Sequence, residues 1–212
     1  MDWRREYLRK LLFVLVLDCQ LLRVISLLVL KRIELSFINS PGIPDFRTPG
    51  RSGLYANLQR FELPTPQSIF DIDFFRCNPL PFLTLAQEIW PGLHFPTPGH
   101  CFLKVLDEKG LLRRVYTQNI DNLERLAGLS GDKVVACHGS FDTASCIDCR
   151  SPASPDAFLH GARGRVPARC EICGGLTKPD VVFFGEQLPA AFDATLEADM
   201  SACDLLLVIG TR

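Results

Sequence analysis

From residue 41 onward, helix-period stretches alternate with short, unbroken apolar runs. Pro66–Phe75 and Pro81–Trp90 predict short helices, each with a proline near its start, where the missing N–H has no partner to lose. Thr97–Lys109 carries Phe102, Leu103, Val105 and Leu106 near helical spacing and is closed by Gly110 at a C-cap position. LLRRVYTQN, residues 111–119, predicts a strand, Asp121–Ala127 a short helix and Lys133–His138 a second strand. Asp180–Gly185 (DVVFFG) predicts a third strand, and Asp204–Gly210 (DLLLVIG) a fourth, apolar enough to require burial. Strands alternating with helices define an α/β class with a parallel sheet. Ligands of such sheets bind beyond the carboxyl ends of strands. Gln118-Asn119, His138-Gly139 and Gly210-Thr211 all stand at such ends, so they form one candidate crevice; the alternative is that each is an ordinary turn residue.

The N-terminal 40 residues follow a different pattern. Leu11–Leu30 is an almost continuous apolar run, bounded by Arg4, Arg5, Arg9 and Lys10 and by Lys31 and Arg32. It has membrane-spanning length, but Asp18 and Arg23 near its centre each oppose insertion by about 2.5–3.5 kcal/mol. The favoured reading is a helix buried in the protein or covered by a partner, ahead of a membrane anchor or an organelle-targeting segment. Asp2, Glu6 and Asp18 weigh against targeting, because transit segments are poor in acids.

Charge narrows the partners. Lys+Arg 23 against Asp+Glu 24 gives a net charge of −1, which provides no electrostatic footprint for nucleic acid. Nine cysteines, an odd number without an obvious cleavable secretory signal, favour a reducing compartment and a metal site over a disulfide framework. Four of them form two CxxC pairs, Cys146/Cys149 and Cys170/Cys173, with 20 residues between the pairs. Two such knuckles direct four thiolates at one centre, which suits tetrahedral zinc. Four cysteine ligands leave no open position, so this zinc is expected to be structural. The spacer SPASPDAFLHGARGRVPAR is too polar and too rich in Pro and Gly to supply a core of its own, so the metal is expected to supply the folding energy.

Other residues carry candidate chemistry. His138 follows an apolar strand, where a histidine either serves as a general base near neutral pH or is simply a hydrogen-bonded structural residue. Gln118 and Asn119 offer amides that both donate and accept, matched to ribose hydroxyls or a carboxamide; Asn119 or Asp121 could equally cap the helix that follows. The loop SPGIPDFRTPG, residues 40–50, excludes helix and central strand by its three prolines, yet sets Asp45, Phe46 and Arg47 in direct succession.

GIPDFR, SGLY, TQNIDNLE, ACHGS, the paired CxxC, KPDVVFFGE and DLLLVIGT occur here in the order found in sirtuins, the NAD-dependent protein-lysine deacylases, and most resemble the class I members. The resemblance runs from about Gly42 to Thr211. It implies a Rossmann-type NAD domain, residues 41–139 and 176–212, with a small zinc module at 140–175 and a cleft between them, preceded by a divergent segment at 1–40. It implies transfer of an acetyl group from lysine to ADP-ribose with release of nicotinamide, with His138 as the catalytic base. Gln118 and Asn119 would face the nicotinamide ribose, Ile120 and Asp121 would form the nicotinamide pocket, and Asp45, Phe46, Arg47 and Tyr55 would belong to the cofactor loop. Gly210 and Thr211 would also contact NAD. Val182, Phe184, Gly185 and Glu186 would pair by backbone with an acetylated protein substrate bound as an extended peptide. A mitochondrial location is implied, with cytoplasmic or nuclear as the alternative.

The family places a glycine-rich phosphate turn before GIPDFR. Here Glu34–Pro41 contains no glycine, and the chain ends at Arg212, where the family continues. The expectation is an alternative or partial family product that binds NAD weakly, with a catalytically inactive, zinc-containing peptide-binding form as the alternative function. The strand Asp204–Gly210 is expected to lack a neighbour and its covering helices.

Overall fold

The computed structural model describes residues 11–15, 31–35, 61 and 63–209. These fall into two compact units. One comprises 11–15, 31–35, 94–139 and 188–209; the other comprises 61, 63–93 and 140–187.

The first unit is built on a five-stranded parallel sheet. Its strands are β1 (Leu11–Leu15), β2 (Lys31–Leu35), β3 (Leu112–Thr117), β4 (Val134–Ala136) and, last in the chain, the strand Leu205–Ile209, in the order β2, Leu205–Ile209, β1, β3, β4. Two expectations are corrected here. Leu11–Leu15 is a strand, not the start of a helix, because a short apolar run has no period that separates the two. Leu205–Ile209 is not an exposed edge: it pairs with β1 on one side and β2 on the other. Its two faces are also covered. Leu206 and Val208 join Tyr116, Val135, Phe192 and Met200 in one apolar cluster, while Leu207 and Ile209 join Leu103, Leu106, Val115 and Val134 in another. This two-sided burial is what parallel strands require.

Helices occupy both sides. Pro98–Glu108 buries His100, Leu103 and Leu106 but leaves Phe102 and Val105 exposed, so only half of its apolar row faces the sheet. The helix Ala190–Ala202, which the apolar pattern did not single out, buries Phe192, Asp199 and Met200. Asp199 joins it to β3: its carboxylate accepts from Arg113 Nε at 2.7 Å, from Tyr116 Oη at 2.7 Å and from Arg114. Burial alone raises this acid, but the bonds from Arg114 and Tyr116 hold it below the ordinary aspartate range. No helix among the described residues is long and apolar enough to cross a membrane.

The second unit joins α1 (Ile72–Cys77), α2 (Leu80–Glu88) and α5 (Pro155–Gly164) to an antiparallel three-stranded sheet; α3 and α4 are the first unit's Pro98–Glu108 and Leu123–Leu126, and α6 is Ala190–Ala202. The small sheet's strands are β5 (Ala144–Cys146), β6 (Pro152–Ala153) and β7 (Thr177–Pro179), in the order β6-β5-β7; Leu205–Ile209 is therefore β8. Its core is aromatic: Phe183 meets Phe70, Phe75 and Phe82 edge to face, with ring centroids 5.8, 5.6 and 4.7 Å away. By packing, then, residues 63–93 group with residues 140–187, which contain the cysteine module.

The cysteine spacer forms α5, whose Phe158 and Ala162 are buried. Ser154 Oγ caps this helix by accepting from Ala157 N–H at 3.2 Å, and Pro155 starts it. Ser154→Ala is expected to lower stability by about 1 kcal/mol, read as a shifted urea midpoint at unchanged slope.

Asp180–Gly185 is not a strand. Thr177–Pro179 takes the ladder position, and the following residues form a single parallel bridge, Asp71 with Phe184. The ladder stops because Phe183 N–H turns to the Glu186 carboxylate (2.9 Å) and Gly185 adopts φ +91.

Candidate functional site

The four thiols of Cys146, Cys149, Cys170 and Cys173 converge, with all sulphurs within 4.8 Å of one another. Cys146 Sγ lies 3.4 Å from Cys173 Sγ, and Cys149 Sγ lies 3.6 Å from Cys170 Sγ. A regular tetrahedron with Zn–S near 2.3 Å has edges of about 3.8 Å, so the set fits one zinc ion. β5 delivers Cys146, and the other knuckle is closed by Gly174 N–H donating to Cys170 O at 2.9 Å, with Gly174 at φ +73. Gly175 leaves room for the cluster: a Cβ there would stand 3.1 Å from Cys146 Sγ and would displace the Asp148 carboxylate. Hydrogen bonding from Ser151 pulls the Cys149 thiol down to about 6. The Gly175 amide favours the Cys173 thiolate, but the bonds with Cys149 and Cys146 outweigh it and push that thiol up to about 12. Four sulphurs this close cannot all ionise together without a cation, and the donor set therefore asks for one. All described cysteines are free thiols.

In the first unit, β3 and β4 run parallel with Thr117 opposite Ala136, and Cys137 N–H donates to Thr117 O at 2.8 Å. The residues after each strand therefore emerge side by side. Gln118 is buried, while Asn119, Ile120, Asp121 and His138 are half-buried. Asn119 N–H donates to Thr117 Oγ1 at 3.1 Å, and Asp121 Oδ1 accepts from Leu123 N–H at 3.1 Å. Asp121 thus supports the start of α4, as its sequence position allowed. Gly139, at φ +69, turns the chain away immediately after His138. The structure brings Gln118, Asn119 and His138 to one sheet edge. Asp45, Phe46, Arg47, Tyr55, Gly210 and Thr211 lie outside the described residues, as does the rest of the Leu11–Leu30 run beyond Leu15.

In the second unit, Phe184 spends both backbone groups internally, its N–H on Phe70 O (2.7 Å) and its C=O on Ile72 N–H (3.1 Å). Glu186 N–H donates to Phe183 O. Among the described residues no backbone hydrogen bond engages Val182 or Gly185. The Phe184 side chain is 57% exposed. Behind the segment lies a buried ion pair that the sequence did not signal. Lys178 Nζ donates to Glu186 Oε2 at 2.8 Å and to Val181 O at 2.6 Å, and stands 4.4 Å from the Phe183 ring centroid.

A parallel α/β sheet carrying amides and a histidine at one edge, with a separate tetracysteine module, defines the class. The chain belongs to the Sir2 family, whose model matches residues 38–212. It is 51% identical over 174 residues to the NAD-dependent protein deacetylase sirtuin-2 of Danio rerio, covering 81% of this chain and 46% of that protein. It is 52% identical over 176 residues to the NAD-dependent protein deacetylase sirtuin-3 of Mus musculus, covering 82% and 52%. To the NAD-dependent protein deacetylase HST2 of Candida albicans it is 46% identical over 170 residues, covering 80% and 51%. The chain spans about half the length of these curated relatives.

Proposed function

We propose that the chain acts as an NAD-dependent protein-lysine deacetylase, transferring acetyl from a substrate lysine to ADP-ribose with release of nicotinamide. The observation that carries this is the convergence of His138 with Gln118 and Asn119 at the ends of β3 and β4. In this reading the amides orient the nicotinamide ribose, and Ile120 and Asp121 receive the nicotinamide. The acetyl oxygen bonds to C1′ of that ribose as nicotinamide leaves, and His138 then takes the proton from a ribose hydroxyl as general base. Asp45, Phe46, Arg47 and Tyr55 line the cofactor loop, Phe46 excluding water from the ribose, and Gly210 and Thr211 meet the dinucleotide. The extended substrate pairs with the Val182–Glu186 segment through the backbone groups of Val182 and Gly185, beside Phe184. The zinc ion holds the module that carries this segment and takes no part in the chemistry. The VVFFGE wording and the cysteine spacing, closest to class I members, support a mitochondrial location, which fractionation tests.

The test is incubation with NAD and an acetyl-lysine peptide, scoring free nicotinamide and the deacetylated peptide by mass. Product from the wild type and none from His138→Ala is the expected result. Product formed equally by His138→Ala overturns the role of that residue, and no product from either overturns the reading.

The glycine-free stretch Glu34–Pro41 favours a second reading, a zinc-containing peptide-binding form without catalysis. Peptide binding by calorimetry without measurable NAD binding selects it, and micromolar NAD affinity excludes it.

A further inference from the structure

Phe184 differs from the other phenylalanines of its unit. Phe70, Phe75, Phe82 and Phe183 are buried, while Phe184 keeps more than half of its surface in water. Its ring lines a cavity of about 230 Å3 together with Thr65, Gln67, Ser68 and Asp71. All five residues belong to the second unit.

The backbone explains the grouping. Asp71 and Phe184 face each other in a parallel bridge, closed by Phe184 N–H on Phe70 O and Ile72 N–H on Phe184 O. Residues opposite each other in such a bridge project their side chains to the same face. The carboxylate and the ring therefore border one space. Asp71 Oδ1 is committed, accepting from Phe74 N–H at 2.8 Å as the cap of α1. Among the described residues Asp71 Oδ2 takes no hydrogen bond and no ion pair. The cations of the flanking segments are engaged elsewhere: Arg76 with Asp148, and Lys178 and Arg150 with Glu186. Asp73, exposed on α1, adds a second negative charge. The remaining wall offers acceptors, the Thr65 and Ser68 hydroxyls, 2.9 Å apart, and the exposed Gln67 amide.

A carboxylate oxygen beside an open aromatic face complements a cation on an apolar stem. The head pairs with the carboxylate and the stem lies on the ring. We propose that this cavity is a subsite for a cationic side chain, arginine above all, that flanks the acetyl-lysine of an extended substrate, with Asp71 as the specificity-determining residue. That the occupant belongs to an acetyl-lysine substrate rests on the deacetylase reading; the cation site itself does not. Phe184 spends both backbone groups on residues 70 and 72, so a peptide paired with Val182–Glu186 runs along the other edge of that segment. The peptide residue across from Phe184 shares its face and stands two strand spacings, about 9.6 Å, from Asp71. Only a long side chain covers that gap, and it crosses the Phe184 ring on the way. A planar guanidinium stacks there and forks onto a carboxylate better than an ammonium does.

The first arm of the test uses no acetyl-lysine. The whole zinc-loaded chain, free of NAD, is titrated with N-acetyl-arginine amide and with the citrulline analogue, which keeps the shape and loses the charge. Amide shifts at Ser68, Asp71 and Phe184 report binding. Arginine should shift all three and citrulline none. Asp71→Asn, which keeps a side-chain oxygen to cap α1, should abolish the arginine shifts. Equal shifts from both probes, shifts from neither, or arginine shifts that survive in Asp71→Asn overturn the proposal. The second arm compares acetyl-lysine peptides that carry arginine or citrulline at each flanking position in turn. At one position arginine should bind about fivefold tighter, as expected of an exposed ion pair plus a cation–π contact, and the ratio should fall towards one in Asp71→Asn and in high salt. Peptides that bind with no arginine preference at any position overturn the assignment to substrate. Failure of every acetyl-lysine peptide to bind, with the arginine probe still bound, defeats the deacetylase reading and supports the cation site.

Discussion

Stripping the metal from the Cys146, Cys149, Cys170 and Cys173 cluster is expected to unfold the β5–β7 module while leaving the parallel sheet intact. The module's strands are two or three residues long, and its small apolar complement includes Ala144, Ile147, Leu176 and the cysteines themselves. Structural zinc contributes about 10–16 kcal/mol of apparent binding energy in small zinc modules near neutral pH, as much as the whole stability of an ordinary domain. Nothing else in the module approaches that. The sheet of the first unit has its own two apolar clusters and takes no ligand from the metal. Trp90 provides a local probe, since its ring stacks on Phe158 at 6.2 Å and contacts Phe141 at 5.0 Å, both in the second unit. Treatment with a strong chelator should release one zinc per chain, red-shift Trp90 emission and open residues 150–170 to protease. Cys170→Ser should give the same state without chelator. A metal-free chain that keeps its Trp90 spectrum and its protease resistance would show that the module folds on packing alone.

Lys178→Met should destabilise the second unit by about 3–5 kcal/mol, because it removes one member of a buried ion pair. Lys178 and Glu186 side chains are only 5% and 7% exposed. With the ammonium gone, Glu186 retains Phe183 N–H and a 3.3 Å contact to Arg150, whose side chain is 66% exposed and screened by solvent. Burial alone would raise the Glu186 acid, but Lys178 outweighs it and holds the value below the ordinary 4.5. A depressed acid stabilises the fold above about pH 4.5, and that contribution is lost as pH falls through the lower folded value. The wild type should therefore lose stability along this acid limb, and Lys178→Met should lose much less there. Replacing both partners, Lys178→Met with Glu186→Met, should recover most of the loss, since no buried charge remains unpaired. Urea unfolding at pH 7 and pH 4 checks all three. A single variant as stable as the wild type would mean that water reaches the pair. The same clamp fixes the turn of Val182–Glu186, so the single variant should also weaken binding of an extended peptide.

The parts of this protein that follow from neighbours along the chain could be read before any coordinates. Two CxxC pairs can only point four sulphurs inward, and they do. The strand patterns around Val115 and Val134 needed no distant information, because their residues are apolar enough to be buried on both faces wherever the sheet forms. Where long-range packing decides, the pattern was insufficient. Leu11–Leu15 is equally apolar as helix or strand, and only the vacant positions beside β3 and Leu205–Ile209 make it a strand. DVVFFG looks like a strand, but Lys178 and Glu186 turn Phe183 inward into the aromatic core instead.

The sequence by itself determined the family, the α/β class and the four cysteines that converge, and it singled out His138 as a candidate base, since each rests on residue type and short spacing. Only the tertiary structure decided which polar groups are buried and with whom. Asp199 with Arg113 and Tyr116, and Lys178 with Glu186, are ordinary polar residues in the sequence. The fold removes them from water, and a desolvated polar group takes its properties from whatever the packing places beside it.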